Sequence, residues 1–185
     1  MKRDKDELAI ARYTKIIRTN PLDYRAYNNR GNVYQKRGSV DLALADYNKA
    51  IGLNPRFALA YINRGIAYQK KGFYDLALSD YNRAIDIDPE SDMAYNNRGF
   101  LHLLMGDDGQ AERDIRKAIE ISPCNIFALN SMSELCAARK DVASACTWLK
   151  RAIEKGYNNW AYIRTSKTYD NLRDSPCFRE ILAGR

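Results

Sequence analysis

A 34-residue period runs through this sequence and restricts the folds that the chain can adopt. Alanine returns at that interval at five positions: Ala9, Ala43, Ala77, Ala111 and Ala145. Proline keeps the same interval at Pro21, Pro55, Pro89 and Pro123. A fixed period of this kind is typical of repeat proteins, in which each repeat is one supersecondary unit stacked on its neighbours. The period therefore predicts an array of similar units rather than one irregular core.

One period contains the patterns of two helices. Tyr27, Gly31 and Tyr34 recur at spacings of four and three residues, which places them on one face of a helix. A second apolar pattern over residues 42–51 has helical spacing and ends before Pro55. Small residues in both patterns allow two antiparallel helices to approach closely, and the aromatic residues fill the space around that contact. Each period is therefore predicted to be an antiparallel helix pair.

The motif formed by these residues resembles the tetratricopeptide repeat. That family places aromatic, small, aromatic, alanine, aromatic, alanine and proline residues at seven fixed positions. The first repeat matches with Tyr27, Gly31, Tyr34, Ala43, Tyr47, Ala50 and Pro55. The second matches with Tyr61, Gly65, Tyr68, Ala77, Tyr81, Ala84 and Pro89, and the third with Tyr95, Gly99, His102, Ala111, Ile115, Ala118 and Pro123. The fourth is degenerate: Leu129, Ser133, Cys136, Ala145, Leu149 and Ala152, with Tyr157 where proline belongs.

The resemblance implies an all-α fold in which antiparallel helix pairs stack into a right-handed superhelical solenoid. It divides the sequence into four repeats, at residues 24–57, 58–91, 92–125 and 126–159. In the N-terminal segment, residues 1–23, only residues 4–20 match the repeat, and they match its second helix alone. We therefore expect either an N-terminal cap or a half repeat left from a longer array. Its open face would allow self-association. Residues 160–185 resemble the closing helical segment of many bacterial members of the family, with apolar residues that would cover the last repeat: Trp160, Leu172, Phe178, Ile181 and Leu182.

Opposite charges also follow the period. Arginine occupies one position of the first helix in three repeats, and aspartate occupies one position of the second helix: Arg30, Arg64, Arg98, Asp46, Asp80 and Asp114. In the fourth repeat both charges are absent, because those positions hold Met132 and Thr147. This joint loss predicts that each arginine pairs with the aspartate of its own repeat, in a structural role.

The motifs of enzymes and metal sites are missing from the sequence, so we expect no catalytic site, no metal and no other cofactor. There is no phosphate-binding glycine loop, HExxH or GxSxG, and the one histidine, His102, stands in an aromatic position of its repeat. Four cysteines without a CxxC motif are predicted to be reduced thiols packed as small apolar groups: Cys124, Cys136, Cys146 and Cys177. The charged N-terminal residues and the lack of a long apolar run predict no membrane span and a cytoplasmic protein.

By the resemblance, the first helices line a concave groove. Asn29, Asn63 and Asn97 recur at one position that faces this groove in the family, and Ser131 continues the row. In several family members an asparagine row there binds the backbone of an extended peptide, which suits an amide because it offers both a donor and an acceptor. The alternative is that asparagine is merely tolerated at an exposed position.

The neighbouring groove positions complete the predicted peptide-binding set: Asn29, Asn32, Lys36, Ile62, Asn63, Ile66, Lys70, Asn97, Phe100 and Leu104. We expect Ile62, Ile66 and Phe100 to be exposed and to form an apolar floor, unless they pack between repeats instead. Residues 24–57 carry 6 basic and 2 acidic side chains. A basic entrance beside an apolar floor predicts a ligand peptide that is both acidic and hydrophobic.

The leading hypothesis is a non-enzymatic protein–protein interaction scaffold that binds an extended peptide or helix of a partner. One alternative is a regulatory repeat array that belongs to a larger enzyme or to a secretion-system component. Nucleic-acid binding is suggested by the net charge of +7, but the apolar middle of the groove and the dispersed basic groups argue against it. Family members that capture the acidic C-terminus of heat-shock chaperones need five polar groove residues. Only Asn32 and Asn63 match that set, so this ligand is not expected.

Overall fold

The computed structural model describes residues 5–184, and within that range helices are joined by turns and short irregular connections, without strands. It forms eleven α-helices: α1 (Lys5–Thr19), α2 (Tyr24–Lys36), α3 (Val40–Leu53), α4 (Ala58–Lys70), α5 (Tyr74–Ile87), α6 (Asp92–Leu104), α7 (Asp108–Ile121), α8 (Ile126–Ala138), α9 (Val142–Glu154), α10 (Trp160–Thr165) and α11 (Pro176–Ala183). A 3-10 helix, Lys167–Leu172, lies between the last two. The predicted all-α fold of consecutive helix pairs is confirmed. The outermost residues of the predicted terminal segments, 1–4 and 185, lie outside the described range.

The helices form two compact units, residues 1–89 and residues 90–185. In the first unit, α2 pairs with α3 and α4 pairs with α5, while α1 packs on α2 and α3 packs on α4. Its core is built from the repeat motif: Ala43, Tyr47 and Ala67 are fully buried and contact Tyr34. The residues that define the motif in the sequence are therefore the ones that hold the helix pairs together.

A glycine in each pair of the first unit allows the close approach of the two helices. A Cβ atom added to Gly65 in α4 would lie 2.6 Å from the ring carbon Cε1 of Tyr81 in α5. The equivalent distance from Gly31 to Tyr47 is 2.7 Å. Because real Cβ atoms do not approach other atoms this closely, glycine is the residue that lets each buried tyrosine lie against the facing helix.

The second unit contains two more helix pairs and the C-terminal segment that follows them. Here α6 pairs with α7 and α8 pairs with α9, the 3-10 helix packs on α8, and α11 packs on α9. Leu172 and Phe178 are fully buried against Leu149 and Ala152 of α9. Ile181 is buried in the same cluster, and Trp160 and Leu182 pack against it. All five apolar side chains that were predicted to cover the last repeat thus contribute to its core.

A disulfide bond joins Cys146 in α9 to Cys177 in α11. The prediction of four reduced thiols was therefore wrong for this pair, while Cys124 and Cys136 are free. The physical reason is the position of the C-terminal segment, which brings two cysteines 31 residues apart in the sequence next to each other. Since residues 160–185 lie outside the repeat, the period could not place Cys177 relative to α9.

The three predicted arginine–aspartate pairs are confirmed, and each pair lies within its own repeat. Arg64 binds Asp80 through two bonds, with Nε 2.8 Å from Oδ2 and Nη2 2.7 Å from Oδ1. The pairs of Arg30 with Asp46 and of Arg98 with Asp114 have the same two-bond geometry. All three carboxylates are buried and the arginines are mostly covered, so the pairs link the two helices of a repeat.

We expect a coupling energy of about 2 kcal/mol between Arg64 and Asp80 in a double-mutant cycle, because two charge-assisted bonds form away from water. The cycle uses Arg64→Ala, Asp80→Ala and the double variant, with free energies of unfolding from urea titrations. The exposed pair of Lys150 and Glu180, 2.8 Å apart, is the control, with an expected coupling much weaker than that of Arg64 and Asp80, because water screens it. Equal coupling energies in the two cycles would contradict the prediction.

Candidate functional site

The predicted groove position of the first unit lies on α2 and α4, where asparagine amides bond to each other. Asn63 Nδ2 donates to Asn28 Oδ1 at 2.9 Å, and Asn28 Nδ2 donates to Asn29 Oδ1 at 3.5 Å. Asn28 is buried, whereas Asn29 and Asn63 are half-buried. These three amides form what we call the amide ladder, which connects neighbouring first helices.

The other polar residues predicted for this face surround the ladder, and two of them have partners within the chain. Asn32 is exposed and its Oδ1 accepts a hydrogen bond from the Tyr47 hydroxyl at 2.8 Å. Lys36 forms an ion pair with Asp6 of α1 at 2.8 Å. Lys70 is exposed at the end of α4. The face therefore combines half-buried amides with a basic, solvated edge.

The structure corrects the predicted apolar floor at Ile62. This side chain is 3% exposed, so it belongs to the packing between helices and not to an open surface. The same repeat position is buried in every repeat, where it holds Asn28, Ile62, Asn96 and Asn130. Ile66, one turn further along α4, is half-buried and remains on the face.

In the second unit the predicted residues Asn97, Phe100 and Leu104 all lie on α6. Asn97 and Phe100 are half-buried, and Leu104 is 46% exposed. Met93, at the start of the same helix, is exposed to the same degree. This helix therefore presents exposed and half-buried apolar side chains at the predicted positions.

The amide ladder is not repeated on α6. Asn96 occupies the position of Asn28, but the residue that would donate to it, 35 positions later, is Ser131. Serine is shorter than asparagine, and Asn96 Oδ1 is buried with no hydrogen-bond partner among the described residues. The ladder of the first unit thus depends on two asparagines 35 residues apart, Asn28 in one repeat and Asn63 in the next.

On α8 the C-terminal segment covers the positions that correspond to the predicted groove positions of the other repeats. The 3-10 helix packs on α8, and the Tyr169 hydroxyl donates to Asn130 Oδ1 at 2.9 Å. Ser131, which was predicted to continue the asparagine row, is buried. That prediction was wrong because the repeat pattern does not indicate where the C-terminal segment packs, and this segment covers α8.

A buried carboxyl group, Glu134, lies at this covered position and was not predicted from the sequence. It is 1% exposed, and burial raises its pKa to about 7, although hydrogen bonds with Tyr162 and Asn130 oppose the shift. Its Oε1 has no partner among the described residues. The sequence does show an acidic residue, Glu134, at the repeat position that holds Asn32, Ile66 and Phe100 in the other repeats. Its burial, however, follows from the packing of the C-terminal segment, which the repeat pattern does not predict.

Glu134 should make the second unit less stable as the pH rises. Its pKa is raised above the ordinary value of 4.5, so the folded state holds the proton more tightly than the unfolded chain does. The stabilisation is therefore complete below about pH 4.5 and is lost as the pH rises through about 7. Between pH 5 and 8 we expect the wild-type chain to lose about 2–3 kcal/mol relative to Glu134→Gln.

Urea unfolding of both chains at several pH values measures this loss. Glu180→Gln is the control, because that carboxyl is exposed and its ion pair with Lys150 lowers its pKa. Parallel pH profiles for the wild-type chain and Glu134→Gln would contradict the prediction.

The described residues contain no group of three or more histidine, cysteine or acidic side chains that could hold a metal ion. Over residues 5–184 no helix has the length and apolar character needed to cross a bilayer.

Consecutive antiparallel helix pairs built on one repeated motif define the class of helical-repeat proteins. Models of the tetratricopeptide repeat match residues 24–57, 58–91 and 80–113, and this chain is a tetratricopeptide repeat protein. No curated protein sequence matches it. The repeats support a protein-interaction scaffold, since this fold generally serves binding and not catalysis.

Solved structures show the same fold. The crystal structure of MamA is 25% identical, with 79% of this chain and 85% of that chain covered and a TM-score of 0.65. TTC0263, a thermophilic tetratricopeptide repeat protein of Thermus thermophilus, is 19% identical over 97% of this chain and 90% of its own, with a TM-score of 0.77. The first tetratricopeptide repeat domain of Spaghetti (RPAP3), bound to the HSP90 peptide SRMEEVD, is 27% identical over 63% and 92%, with a TM-score of 0.59.

Proposed function

We propose that this protein is a non-enzymatic scaffold whose first-helix faces bind an extended peptide or a helix of a partner protein. The observation that carries the proposal is the amide ladder of Asn63, Asn28 and Asn29, which spans α2 and α4. The ladder holds two half-buried amides in fixed orientations on adjacent helices. Such preorganised polar groups lower the cost of binding a flexible ligand.

Each end of the ladder keeps one amide atom for a ligand. Asn63 donates through Nδ2 within the ladder, and Asn29 accepts through Oδ1. The remaining atoms, Asn63 Oδ1 and Asn29 Nδ2, form no hydrogen bond with any of the described residues. One acceptor and one donor are what a peptide unit requires for its N–H and C=O groups. The arrangement therefore suits main-chain recognition of an extended segment.

The side chains around the ladder favour an acidic and hydrophobic ligand. Ile66 supplies an apolar contact on α4, and the exposed Lys36 and Lys70 lie at the ends of α2 and α4. The first unit carries 16 basic and 10 acidic residues, a net charge of +6, whereas the second carries 14 and 13, a net charge of +1. A positive unit attracts an acidic segment and speeds its association.

On α6 of the second unit, we propose that Phe100 and Leu104 receive apolar side chains of the partner, with Asn97 beside them. An exposed leucine next to a half-buried aromatic ring on one helix is typical of a binding surface. The peptide bound by the repeat domain of Spaghetti supports peptide binding by this fold, and its two glutamates agree in charge with the ligand proposed here.

Self-association through the N-terminal half repeat is a second candidate. None of the described residues of α1 is buried, although α1 matches a second helix, whose alanine and tyrosine are buried in the other pairs of the first unit. A cleft of about 440 Å³ runs along α1 and includes Ile10, Ala11 and Arg37. A concentration-dependent mass in analytical ultracentrifugation that is abolished by Ile10→Glu would support this surface, and a monomer at all concentrations would reject it.

The cellular location of the protein and its place in a larger protein or assembly remain predictions. A cytoplasmic protein would hold the Cys146–Cys177 pair mainly as thiols, because reducing compartments keep cysteines reduced. Membership of a larger enzyme or of a secretion-system component is the alternative context for the same binding faces.

Selection of phage-displayed heptapeptides against the whole chain tests the proposed function. We expect acidic sequences with one or two large apolar residues to be enriched, and calorimetry with a selected peptide gives the affinity. Asn63→Ala should weaken binding by about 5- to 150-fold, since a peptide group left unpaired in the complex costs about 1–3 kcal/mol. Asn158→Ala, an exposed asparagine of the second unit, is the matched control. Unchanged affinity in a folded Asn63→Ala, Ile66→Ala double variant would place the binding site elsewhere.

A further inference from the structure

The disulfide bond between α9 and α11 is unequally accessible at its two ends. Cys146 is 3% exposed and lies in the core cluster of the second unit. Cys177 is half-buried and packs at the edge of that cluster. A nucleophile approaching the folded protein therefore meets the sulfur of Cys177 first.

A cleft of about 510 Å³ leads to the bond. Both cysteines line it, together with Val142 and Thr147 of α9 and Pro176 of α11. Lys150 also lines this cleft. A thiolate can enter such a cleft, and the charge of Lys150 at its wall is balanced by the ion pair with Glu180.

Cys177 lies at the start of α11, outside the core of the second unit. It is the second residue of that helix, after Pro176. Ser175, the N-cap residue of α11, has its Oγ 3.4 Å from Cys177 Sγ and donates its hydroxyl proton to the carbonyl oxygen of Leu172 at 2.7 Å. Cys177 is therefore held at the edge of the core cluster, where the cleft reaches it.

We infer that Cys146–Cys177 is a reversible redox modification site, at which a dithiol reductant attacks Cys177 and releases the C-terminal segment from α9. In the first step a thiolate of the reductant bonds to Cys177 Sγ, the Cys146–Cys177 bond breaks, and Cys146 leaves with the electron pair and takes up a proton. In the second step the other thiolate of the reductant attacks the reductant sulfur that is bonded to Cys177. The bond between that sulfur and Cys177 breaks, and Cys177 leaves as a thiolate. The reductant becomes a disulfide, and the protein gains two electrons as two thiols.

Reduction would also affect α8, because the released segment includes the 3-10 helix. That helix covers α8, where Tyr169 donates to Asn130 and Ser131 is buried. Without the bond, the segment is held by apolar packing, by hydrogen bonds such as that of Tyr169 with Asn130, and by the exposed ion pair of Lys150 with Glu180. The positions of α8 that correspond to the peptide-binding positions of the other repeats would then open more often.

The accessible sulfur is identified by reaction with glutathione, using the full chain with Cys124→Ser to remove the exposed free thiol. After quenching with an alkylating agent, peptide mapping should place glutathione on Cys177. With dithiothreitol, the reduction rate should rise in proportion to the reductant concentration. A glutathione adduct on Cys146, or a rate independent of dithiothreitol concentration, would show that the bond is reached only after unfolding and would overturn the inference.

Hydrogen exchange of the oxidised and reduced chains measures the release. Removing a cross-link that closes a loop of this length should increase opening of the C-terminal segment on the order of 10²-fold. We therefore expect the amides of the 3-10 helix and α11 to lose protection against exchange on reduction. The amides of α6 and α7 should be unchanged and serve as the internal control. Cys177→Ser should behave like the reduced chain under oxidising conditions. Equal protection in the two redox states would refute the release.

Discussion

Gly65→Ser is expected to lower the free energy of unfolding by about 3 kcal/mol. The new Cβ would lie 2.6 Å from Tyr81 Cε1. The tyrosine ring cannot move aside easily, because it is fully buried and its hydroxyl donates to Gln69 Oε1 at 2.9 Å. The strain therefore has to be relieved by separating α4 from α5, which opens the core of that repeat.

The fourth repeat supplies the compensating change. There the glycine position holds Ser133 and the tyrosine position holds Leu149, and Ser133 Oγ donates to the carbonyl oxygen of Ala145 at 2.8 Å. Combining Gly65→Ser with Tyr81→Leu copies that pair into the second repeat. We expect the double variant to be more stable than the sum of the single effects by at least about 1.5 kcal/mol.

Urea unfolding monitored by circular dichroism gives the four free energies of this cycle. Gly52→Ser is the matched control, because a Cβ at Gly52 of α3 has no atom within 4 Å, and its effect should stay within about 0.5 kcal/mol. Additive effects of the two substitutions would show that the glycine is not required by the tyrosine.

Removal of residues 160–185 is expected to cause aggregation and to abolish the cooperative unfolding of the second unit. The segment contributes four fully buried large side chains to the core: Ile163, Tyr169, Leu172 and Phe178. Each is worth about 1.5–3 kcal/mol of burial, and whole proteins are stable by only about 5–15 kcal/mol. The deletion also exposes apolar side chains of α8 and α9 that were covered.

A single substitution keeps this prediction measurable if the truncated chain does not fold. Phe178→Ala should cost about 4 kcal/mol, whereas Phe127→Ala, at a ring that is 62% exposed, should cost less than about 1 kcal/mol. Calorimetry and light scattering report the melting temperature and the mass. A truncated chain that remains monomeric and melts at the wild-type temperature would show that the segment is not a cap.

The sequence predicted the features that depend on the period. The recurrence of Gly65 and Tyr81 at fixed spacing indicated the helix pairs, because close approach needs a small residue opposite a large one. The joint absence of both charges in the fourth repeat indicated the pairing of Arg64 with Asp80, since an unpaired charge would be costly at a covered position. Both inferences required only comparison of equivalent positions.

The features that were missed depend on neighbours outside the period. Ile62 was expected on an open surface because the pattern along one helix does not show how closely the next first helix approaches. The burial of Glu134 and Ser131 depends on a segment that has no counterpart in the other repeats. For the same reason Cys146 gave no sign of its partner, and the repeat could not specify a contact between α9 and α11.

The bond between α9 and α11 also changes how the chain responds to mechanical force. The bridge spans 31 residues, and a pulling force applied at the two termini passes through the sulfurs and not through the residues that they enclose. A fully stretched residue contributes about 3.3–3.6 Å, so the oxidised chain should extend roughly 100 Å less than the reduced chain in an optical trap. A length measured on one molecule would therefore report the redox state of its C-terminal segment.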